Sequence, residues 1–236
     1  MNTPPIPPFC SMLETHWPLP FHLPGISLVS ARFDAKQLQD EDFESWGLPR
    51  PEGIRKRQAE FFAGRICAFM ALMNATGCGH LPTANEDRSP CWPPSSIGSI
   101  THSHGHATAV AAQSRHWRGL GVDSEQLIKA ERANRLAEQI LTQSELDRYS
   151  DLPQAVYARH LTLAFSLKES LFKALYPLVG QPFYFHDAAL SWVGEDGHAT
   201  LKLLRDLSTE WRAGSELQGQ FTVEESQVLT LVSIPH

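Results

Sequence analysis

Residues 155–177 read AVYARHLTLAFSLKESLFKALYP, and this stretch decides the fold of the second half of the chain. Its apolar residues recur at helical spacing and the run closes at Gly180, so we predict one long helix. The helix is apolar on nearly every face, which is typical of a buried helix. The charged Lys168, Glu169 and Lys173 within it therefore need buried partners or a ligand.

The same order of elements occurs earlier in the chain. A second helical run begins near Ile54 and stops near Gly77, and alternating stretches that predict strands lie before and after each helix. We therefore predict an α+β fold of two similar halves, residues 25–120 and 121–236, preceded by a proline-rich arm at residues 1–24.

The composition excludes several classes of function. The 236 residues carry 20 Lys and Arg against 26 Asp and Glu, a formal net charge of -6. Such a chain does not attract nucleic acid or anionic lipid, so any phosphate site must be a local cationic cluster. The four cysteines fit no zinc-finger or disulfide pattern, and no stretch approaches the roughly 18 apolar residues of a membrane span. We expect a cytoplasmic protein without a membrane or nucleic-acid partner.

An acidic pair follows a predicted strand in GLGVDSEQ. The strand comes after ATAVAA and a turn, and the two stretches together resemble a hairpin or meander. The pleat sends Asp123 and Glu125 to one face and Ser124 to the other. Such a pair can hold Mg²⁺, which takes one or two protein carboxylates and completes its octahedron with phosphates and water. By itself, an acidic pair is more often a solvated turn or a helix cap.

A set of cationic residues precedes that strand. Arg57 and Arg65 are eight apart on the predicted helix and share a face, and Arg88 and His102 follow. Around a groove, these four residues could bind a phosphorylated nucleotide, because the planar fork of arginine suits phosphate oxygens. Surface solubility explains each of them alone.

Three alternating histidines, His102, His104 and His106, stand in ITHSHGHA, a spacing that could bind zinc. The run resembles the HxHxDH signature of metallo-β-lactamase-fold hydrolases, but Gly105 stands where that family has Asp. We favour a loop with incidental histidines and keep a metal-dependent hydrolase as the alternative.

Taken together, several segments resemble the 4'-phosphopantetheinyl transferases of the surfactin-synthetase type, most closely the branch associated with enterobactin synthase. They are RKRQAEFFAGR, GSITHSH, GVDSE, LTQSELDRY and LTLAFSLKESLFKA. The family pattern is (V/I)G(I/V)D-x-E followed by (W/F)(S/A)-x-KE and a further Lys, and both parts occur here in order. The resemblance extends from about residue 54 to residue 175.

The resemblance implies an enzyme that transfers the 4'-phosphopantetheine arm of coenzyme A to a serine of an acyl or peptidyl carrier protein. Adenosine 3',5'-bisphosphate would be the second product. The resemblance also implies halves related by pseudo-twofold symmetry, with the active site in the cleft between them. A nucleotide-binding module without turnover is a further alternative.

Site residues are carried over from the family motif by motif. Mg²⁺ would be held by Asp123, Glu125 and Glu169, with Lys168 and Lys173 at the phosphate oxygens. The nucleotide end of coenzyme A, particularly its 3'-phosphate, would be held by Arg65, Arg88 and His102, with Arg57 as a helper. The base that activates the carrier serine would be Glu169, or else Glu145, which also fits a capping box begun by Thr142.

Carrier proteins of these pathways are acidic, so docking to this acidic chain requires a local basic patch. The candidate stretch runs from Lys129 through Arg132 and Arg135 to Arg148. A solvated amphipathic helix explains it equally well. The sequence leaves open which carrier is natural and whether acylated coenzyme A is accepted, and by analogy we expect a monomer.

Overall fold

The computed structural model describes residues 4–224 and 226–236 and divides the chain into two compact units. The first unit comprises the residues up to Trp17 and Pro24–His116, and the second comprises Pro18–Leu23 and Trp117–His236. The division thus falls after His116, earlier than the boundary at residue 120 expected from the sequence. A short part of the expected N-terminal arm is counted with the second unit.

In its described residues, the first unit contains two α-helices and a four-stranded antiparallel sheet of order β1-β2-β6-β5, with β3 and β4 paired separately. Its elements in chain order are β1 (Cys10–Thr15), β2 (Ile26–Phe33), α1 (Asp40–Ser45), α2 (Arg55–Thr76), β3 (Thr83–Ala84), β4 (Pro90–Cys91), β5 (Ser96–Ser103) and β6 (His106–Gln113). Helix α2 confirms the predicted helix, and strand β1 lies within the stretch expected to be an arm.

Helix α2 covers the sheet of the first unit. It packs on β2, β5 and β6, and its central residues are fully buried. Gly64 faces β5, where an added Cβ would lie 2.7 Å from Ile100 Cγ2. The helix ends at Gly77, whose φ of 77° is the left-handed conformation that glycine adopts at a helix C-terminus. These contacts fix the face of α2 that carries Arg57 and Arg65.

The second unit contains three α-helices, a 3-10 turn at Phe185–Asp187 and a five-stranded antiparallel sheet of order β7-β11-β10-β9-β8. Its elements are β7 (Trp117–Gln126), α3 (Ala130–Ile140), α4 (Gln143–Tyr149), α5 (Gln154–Val179), β8 (Ala188–Val193), β9 (His198–Leu203), β10 (Glu216–Glu224) and β11 (Gln227–Pro235).

The structure has the α+β fold that the sequence predicts, since each unit places helices against an antiparallel sheet. The expected hairpin or meander of ATAVAA and LGVDSE is wrong, because β6 pairs with β2 and β5 whereas β7 pairs with β11. The pseudo-twofold relation and the cleft stay predictions. None of the described helices combines the length and apolar character needed to cross a membrane.

Two glycines of β7 allow α5 to lie directly on the strand backbone. A Cβ at Gly121 would overlap the carbonyl oxygen of Ser170, and a Cβ at Gly119 would overlap that of Ala174. Helix α5 packs on β7 more extensively than on any other strand of its sheet. Because these two glycines have no side chain, the strand that carries Asp123 lies close to the helix that carries Lys168, Glu169 and Lys173.

We predict that Gly121→Ala destabilises the protein by at least about 2 kcal/mol, because the new methyl group has no room against the α5 backbone. Gly219→Ala on β10 is the control, since its Cβ would meet only side-chain methyl groups, the nearest being Leu167 Cδ2 at 3.0 Å. Urea denaturation measures both. A Gly121→Ala protein as stable as Gly219→Ala would contradict the account.

Candidate functional site

Asp123 is held by contacts from helix α5. Its side chain is nearly buried, and the residue is 4% exposed. Lys173 Nζ lies 2.7 Å from Asp123 Oδ1 and also donates to the carbonyl oxygen of Val122 at 3.0 Å. Ser166 Oγ donates to Asp123 Oδ2 at 2.9 Å. Both carboxylate oxygens thus have partners, and the orientation of the carboxylate is fixed.

Three buried hydroxyl groups, those of Ser166, Thr230 and Ser170, lie next to Asp123. Thr230 stands opposite Asp123 on the neighbouring strand β11, and its hydroxyl lies 2.9 Å from Ser166 Oγ and 2.7 Å from Ser170 Oγ. Thr230 Oγ1 also donates to the carbonyl oxygen of Ser166 at 3.0 Å. Because each of these buried hydroxyl groups has a hydrogen-bond partner, their burial costs little free energy.

Glu125 and Glu169 lie close to Asp123, and the three acids affect one another. The pKa of Glu125 is raised to about 7, chiefly by burial and then by the negative charge of Asp123, while Lys173 opposes the shift. Burial also raises the pKa of Glu169, again against the opposing charge of Lys173. Three carboxylates thus share a half-buried region with one nearby ammonium group, and a further cation would relieve their repulsion.

The donor set fits a magnesium ion that is bound together with a phosphate-bearing substrate. Within the described ranges, no three His, Cys, Asp or Glu side chains are arranged to hold a metal on their own. Magnesium does not need a closed protein cage, since it binds through one or two carboxylates and takes its other ligands from phosphates and water. Ser124 lies on the other face of β7, where its hydroxyl accepts a hydrogen bond from Gln227 Nε2.

Lys168 and Glu145, two further residues expected at the site, form a buried ion pair. Both are buried, and Lys168 Nζ lies 2.7 Å from Glu145 Oε2 and donates to the carbonyl oxygen of Ile140 at 2.8 Å. Glu145 completes the predicted capping box by accepting from the Thr142 backbone N at 2.8 Å, and its other oxygen accepts from Leu190 N at 2.9 Å. Both charges thus have partners within the fold, and a role of either residue at the phosphates or the carrier serine stays a prediction.

An apolar cavity of about 240 Å³ adjoins Glu169. Its aromatic wall is formed by Phe172, Phe183, Tyr184 and Phe185. Phe172 and Phe183 pack against each other with ring centroids 5.2 Å apart. No sequence pattern indicates this cavity, because residues 183–185 follow the helix in a stretch without periodicity.

A cavity of about 1110 Å³ in the first unit is lined by all four residues predicted to bind the nucleotide. Arg57, Arg65, Arg88 and His102 line it. Lys56, which sequence reasoning missed, lines it too, as do Glu52 and Glu60. A pattern alone does not distinguish Lys56 from the ordinary charges on the surface of a helix. The cavity is a concave site with five cationic or potentially cationic side chains.

Arg65 is the most deeply buried of these cations. Its guanidinium carbon lies 4.1 Å from the centroid of the Phe61 ring, and its Nε donates to the carbonyl oxygen of Pro82 at 3.2 Å. Burial lowers the pKa of Arg65 to about 10, so the group remains charged at neutral pH. An arginine stacked on a ring and tied by one hydrogen bond is preorganised for an anionic ligand.

Arg88 lies on a tight turn between β3 and β4. Its φ of 69° is in the left-handed region, and its backbone N donates to the carbonyl oxygen of Asn85 at 2.9 Å. The Asn85 side chain in turn donates to Ser89 Oγ at 2.9 Å. A non-glycine residue held in this conformation indicates that the turn fixes the position of Arg88 at the edge of the cavity.

The three alternating histidines do not converge. Ser103 pairs with His106 across the turn between β5 and β6, and His104 and Gly105 form the turn itself, with φ of 47° and 79°. His102 belongs to β5 and pairs with Ala107. The described residues contain no three-histidine metal group, so the hydrolase alternative has no structural support.

The basic residues considered for carrier docking separate into two groups. Lys129, Arg132 and Arg135 are exposed at and along α3, whose buried side faces the core through Ala133, Ala137 and Ile140. Arg148 is also exposed, but its Nη1 donates to the carbonyl oxygen of Leu190 at 2.8 Å. Only the α3 group presents cations that are available to a partner.

Comparison with known proteins places these features in one family. A family model for the 4'-phosphopantetheinyl transferase N-terminal domain matches residues 51–112, and one for the 4'-phosphopantetheinyl transferase superfamily matches residues 119–232. Enterobactin synthase component D of Salmonella typhi is 36% identical over 85% of this chain and 86% of that protein. The same component of Escherichia coli is 39% identical over 69% of this chain and 76% of that protein.

A mycobacterial relative gives the same result. The 4'-phosphopantetheinyl transferase PptT of Mycobacterium tuberculosis is 30% identical over 76% of this chain and 80% of that protein. The chain therefore belongs to the 4'-phosphopantetheinyl transferase superfamily. It transfers phosphopantetheine from coenzyme A to a carrier protein, which is the reaction of that family.

The buried ion pair of Lys168 and Glu145 leads to a prediction about the stability of the protein. Lys168→Ala should destabilise the protein by about 3–5 kcal/mol, because it leaves the Glu145 carboxylate buried without its counter-ion. Arg118→Ala is the control, since it breaks the solvent-exposed bridge to Glu210 in the same unit and should leave stability nearly unchanged. Urea denaturation compares the two. Equal stability of the two variants would show that the Lys168 pair is not structural.

Proposed function

We propose that the transfer takes place at the carboxylates of the second unit, on coenzyme A whose nucleotide is bound by the cationic cavity of the first. The observation that carries this proposal is the ion pair of Lys173 with Asp123 on β7 and α5, together with the electrostatic interaction of Glu125 and Glu169 with both residues. Their excess negative charge suits a divalent cation, and the single ammonium group suits a phosphate oxygen.

Asp123, Glu125 and Glu169 would hold Mg²⁺, which supplies Lewis-acid stabilisation of the charge that develops on the leaving phosphate. Lys173 donates hydrogen bonds to the same phosphate oxygens once they displace part of its contact with Asp123. Lys168 is left out of this group because its ammonium is used by Glu145.

Glu169 is the base we propose for the carrier serine. Glu169 is a carboxylate on α5 beside Asp123, and a positioned carboxylate can accept a proton from a reacting hydroxyl group. The serine oxygen bonds to the phosphorus attached to the pantetheine arm, and its proton passes to Glu169. The phosphoanhydride bond breaks, and adenosine 3',5'-bisphosphate leaves with the bonding electrons.

The two cavities differ in chemistry, and we assign a different part of coenzyme A to each. Arg65, Arg88 and His102 would bind the nucleotide end, particularly the 3'-phosphate, with Arg57 and Lys56 adding charge. The apolar cavity beside Glu169 suits the pantetheine arm, which carries methyl groups and a flexible chain rather than charge.

The carrier protein would dock on α3. Its exposed Lys129, Arg132 and Arg135 offer positive charge on a chain whose net charge is -6, and an acidic carrier is attracted to such a local patch. Burial raises the pKa of Glu125, and Arg132 is close enough to oppose part of that rise, so the patch begins beside the acids where the serine must arrive.

Substitution of the acids tests the reacting site. Asp123→Asn or Glu169→Gln should lower the rate of carrier modification by about 1000-fold or more, because charge at the metal and the proton acceptor are lost. Mass spectrometry of an apo carrier protein incubated with coenzyme A and Mg²⁺ measures the added phosphopantetheine. Chelation by EDTA should stop the wild-type reaction, and Mg²⁺ should restore it.

His104→Ala and His106→Ala are the matched controls, and both should retain activity. Activity that survives in Asp123→Asn and disappears in the histidine variants would reverse the assignment. Circular dichroism verifies that each variant is folded.

Charge reversal on α3 tests carrier docking. Lys129→Glu combined with Arg135→Glu should raise KM for the carrier about tenfold and leave KM for coenzyme A unchanged, because long-range attraction governs encounter of the partners. Lys36→Glu combined with Lys202→Glu, both at exposed positions, makes the same change of charge away from α3. An equal effect of both substitutions would show that net charge alone, and not the α3 patch, guides the carrier.

A further inference from the structure

Arg65 is a cation of the first unit that is buried without a counter-ion. The residue is 7% exposed and lines the cationic cavity. Burial lowers the pKa of Arg65 to about 10, and no carboxylate among the described residues opposes this shift or pairs with the guanidinium. A buried charge without a partner is costly, so the contacts that do hold this arginine are of interest.

The ring of Phe61 contacts the guanidinium where a carboxylate would otherwise stand. Phe61 precedes Arg65 by one turn of α2, and long side chains on a helix lean toward its N-terminus, so the arginine reaches back over the ring. The guanidinium carbon lies 4.1 Å from the ring centroid, which is within the range of a cation–π contact. The ring attracts the cation but has no net charge, so the charge of Arg65 is not neutralised.

These contacts leave most of the guanidinium donors to a ligand. A guanidinium has five N–H groups, and the Nε–H of Arg65 donates to the carbonyl oxygen of Pro82 at 3.2 Å. In the described part of the chain, the N–H groups of its Nη atoms have no acceptor. One hydrogen bond and one ring contact thus fix a planar fork that can bind two oxygens of one phosphate.

The cavity also contains acids that would compete for a mobile arginine. Glu52 and Glu60 line it, and Glu60 Oε1 lies 3.8 Å from Lys56 Nζ, one helical turn away. A guanidinium that could turn freely would be attracted to these carboxylates, and such a pair would have to break before a phosphate could bind. The contact with Phe61 opposes that rearrangement and lowers the cost of ordering Arg65 when the ligand arrives.

We propose that Phe61 is a positioning residue for coenzyme A, whose ring holds the Arg65 guanidinium un-neutralised so that its Nη groups donate to phosphate oxygens of the nucleotide. This inference rests on the proposed function, because it requires the cavity to bind the nucleotide. It makes an uncharged side chain a determinant of affinity for a highly charged ligand.

Three substitutions separate the ring from its bulk. Phe61→Leu keeps an apolar side chain and removes the ring, whereas Phe61→Tyr keeps the ring. Phe69→Leu is the matched control, because Phe69 is also a half-buried residue of α2. Phe69 packs against Trp46 with ring centroids 5.6 Å apart, and it is not among the described residues that line the cavity.

Isothermal titration calorimetry on the full chain measures Kd for coenzyme A. We expect Phe61→Leu to weaken binding about fivefold or more, and Phe61→Tyr and Phe69→Leu to stay within about twofold of the wild type. In steady-state kinetics, Phe61→Leu should raise KM for coenzyme A and leave kcat nearly unchanged, because the acids of the second unit are untouched. Urea denaturation verifies that Phe61→Leu and Phe69→Leu are folded.

A double-mutant cycle tests whether the ring acts through the arginine. In an Arg65→Met background, Phe61→Leu should cause no further weakening of coenzyme A binding. Weakening that persists in this background overturns the inference, because the ring would then act on the ligand or on the cavity without Arg65. Wild-type affinity of Phe61→Leu also overturns it, as does equal weakening by Phe61→Tyr or by Phe69→Leu.

Arg65→Met by itself separates this failure from that of the proposed function. If Arg65→Met binds coenzyme A like the wild type, the cavity does not use Arg65 for the nucleotide, and the role of Phe61 falls with the proposed function. If Arg65→Met binds weakly while Phe61→Leu does not, only the inference about Phe61 fails.

Discussion

Close contact between the backbone of β7 and helix α5 is the constraint on which the second unit depends. Gly119 and Gly121 leave the strand without side chains on the face where the helix rests. The contact brings Asp123, two residues beyond Gly121, within hydrogen-bond reach of Ser166 and Lys173. Any residue larger than glycine would push the helix outward and separate the groups that form the site. The backbone packing of β7 against α5 thus determines which charged groups lie near Asp123.

Helix α5 contributes a lysine to each of two ion pairs, and these pairs differ in how deeply they are buried. Lys168 and Glu145 are removed from solvent and satisfied by further hydrogen bonds, so loss of either one would leave the other charge buried without its partner. Lys173 and Asp123 lie nearer the surface, where the lysine is 27% exposed and two further carboxylates are close. The excess of negative charge at this second pair is the reason why we propose that a cation and a phosphate bind there.

The sequence predicted those features that depend on local periodicity and motif. The long helices, the acidic pair at a strand end and the capping box at Thr142 follow from residue spacing, and the structure contains them. The partner of β7 could not be predicted, because alternation defines the faces of a strand and not its neighbour. The partner of Lys168, Glu145, could not be predicted, because an apolar helix shows only that a charge needs a partner. Lys56 and Glu60 were overlooked since an i, i+4 pair is typical of any helix surface.

The central claim is that Asp123, Glu125 and Glu169 jointly bind one divalent ion when coenzyme A is present. A crystal structure of the protein grown with coenzyme A and Mn²⁺, with anomalous diffraction recorded near the manganese absorption edge, tests it most directly. We predict a single anomalous peak within bonding distance of these three carboxylates and of phosphate oxygens of the bound coenzyme. A peak elsewhere, or bound coenzyme whose phosphates lie away from the three acids, would contradict the account.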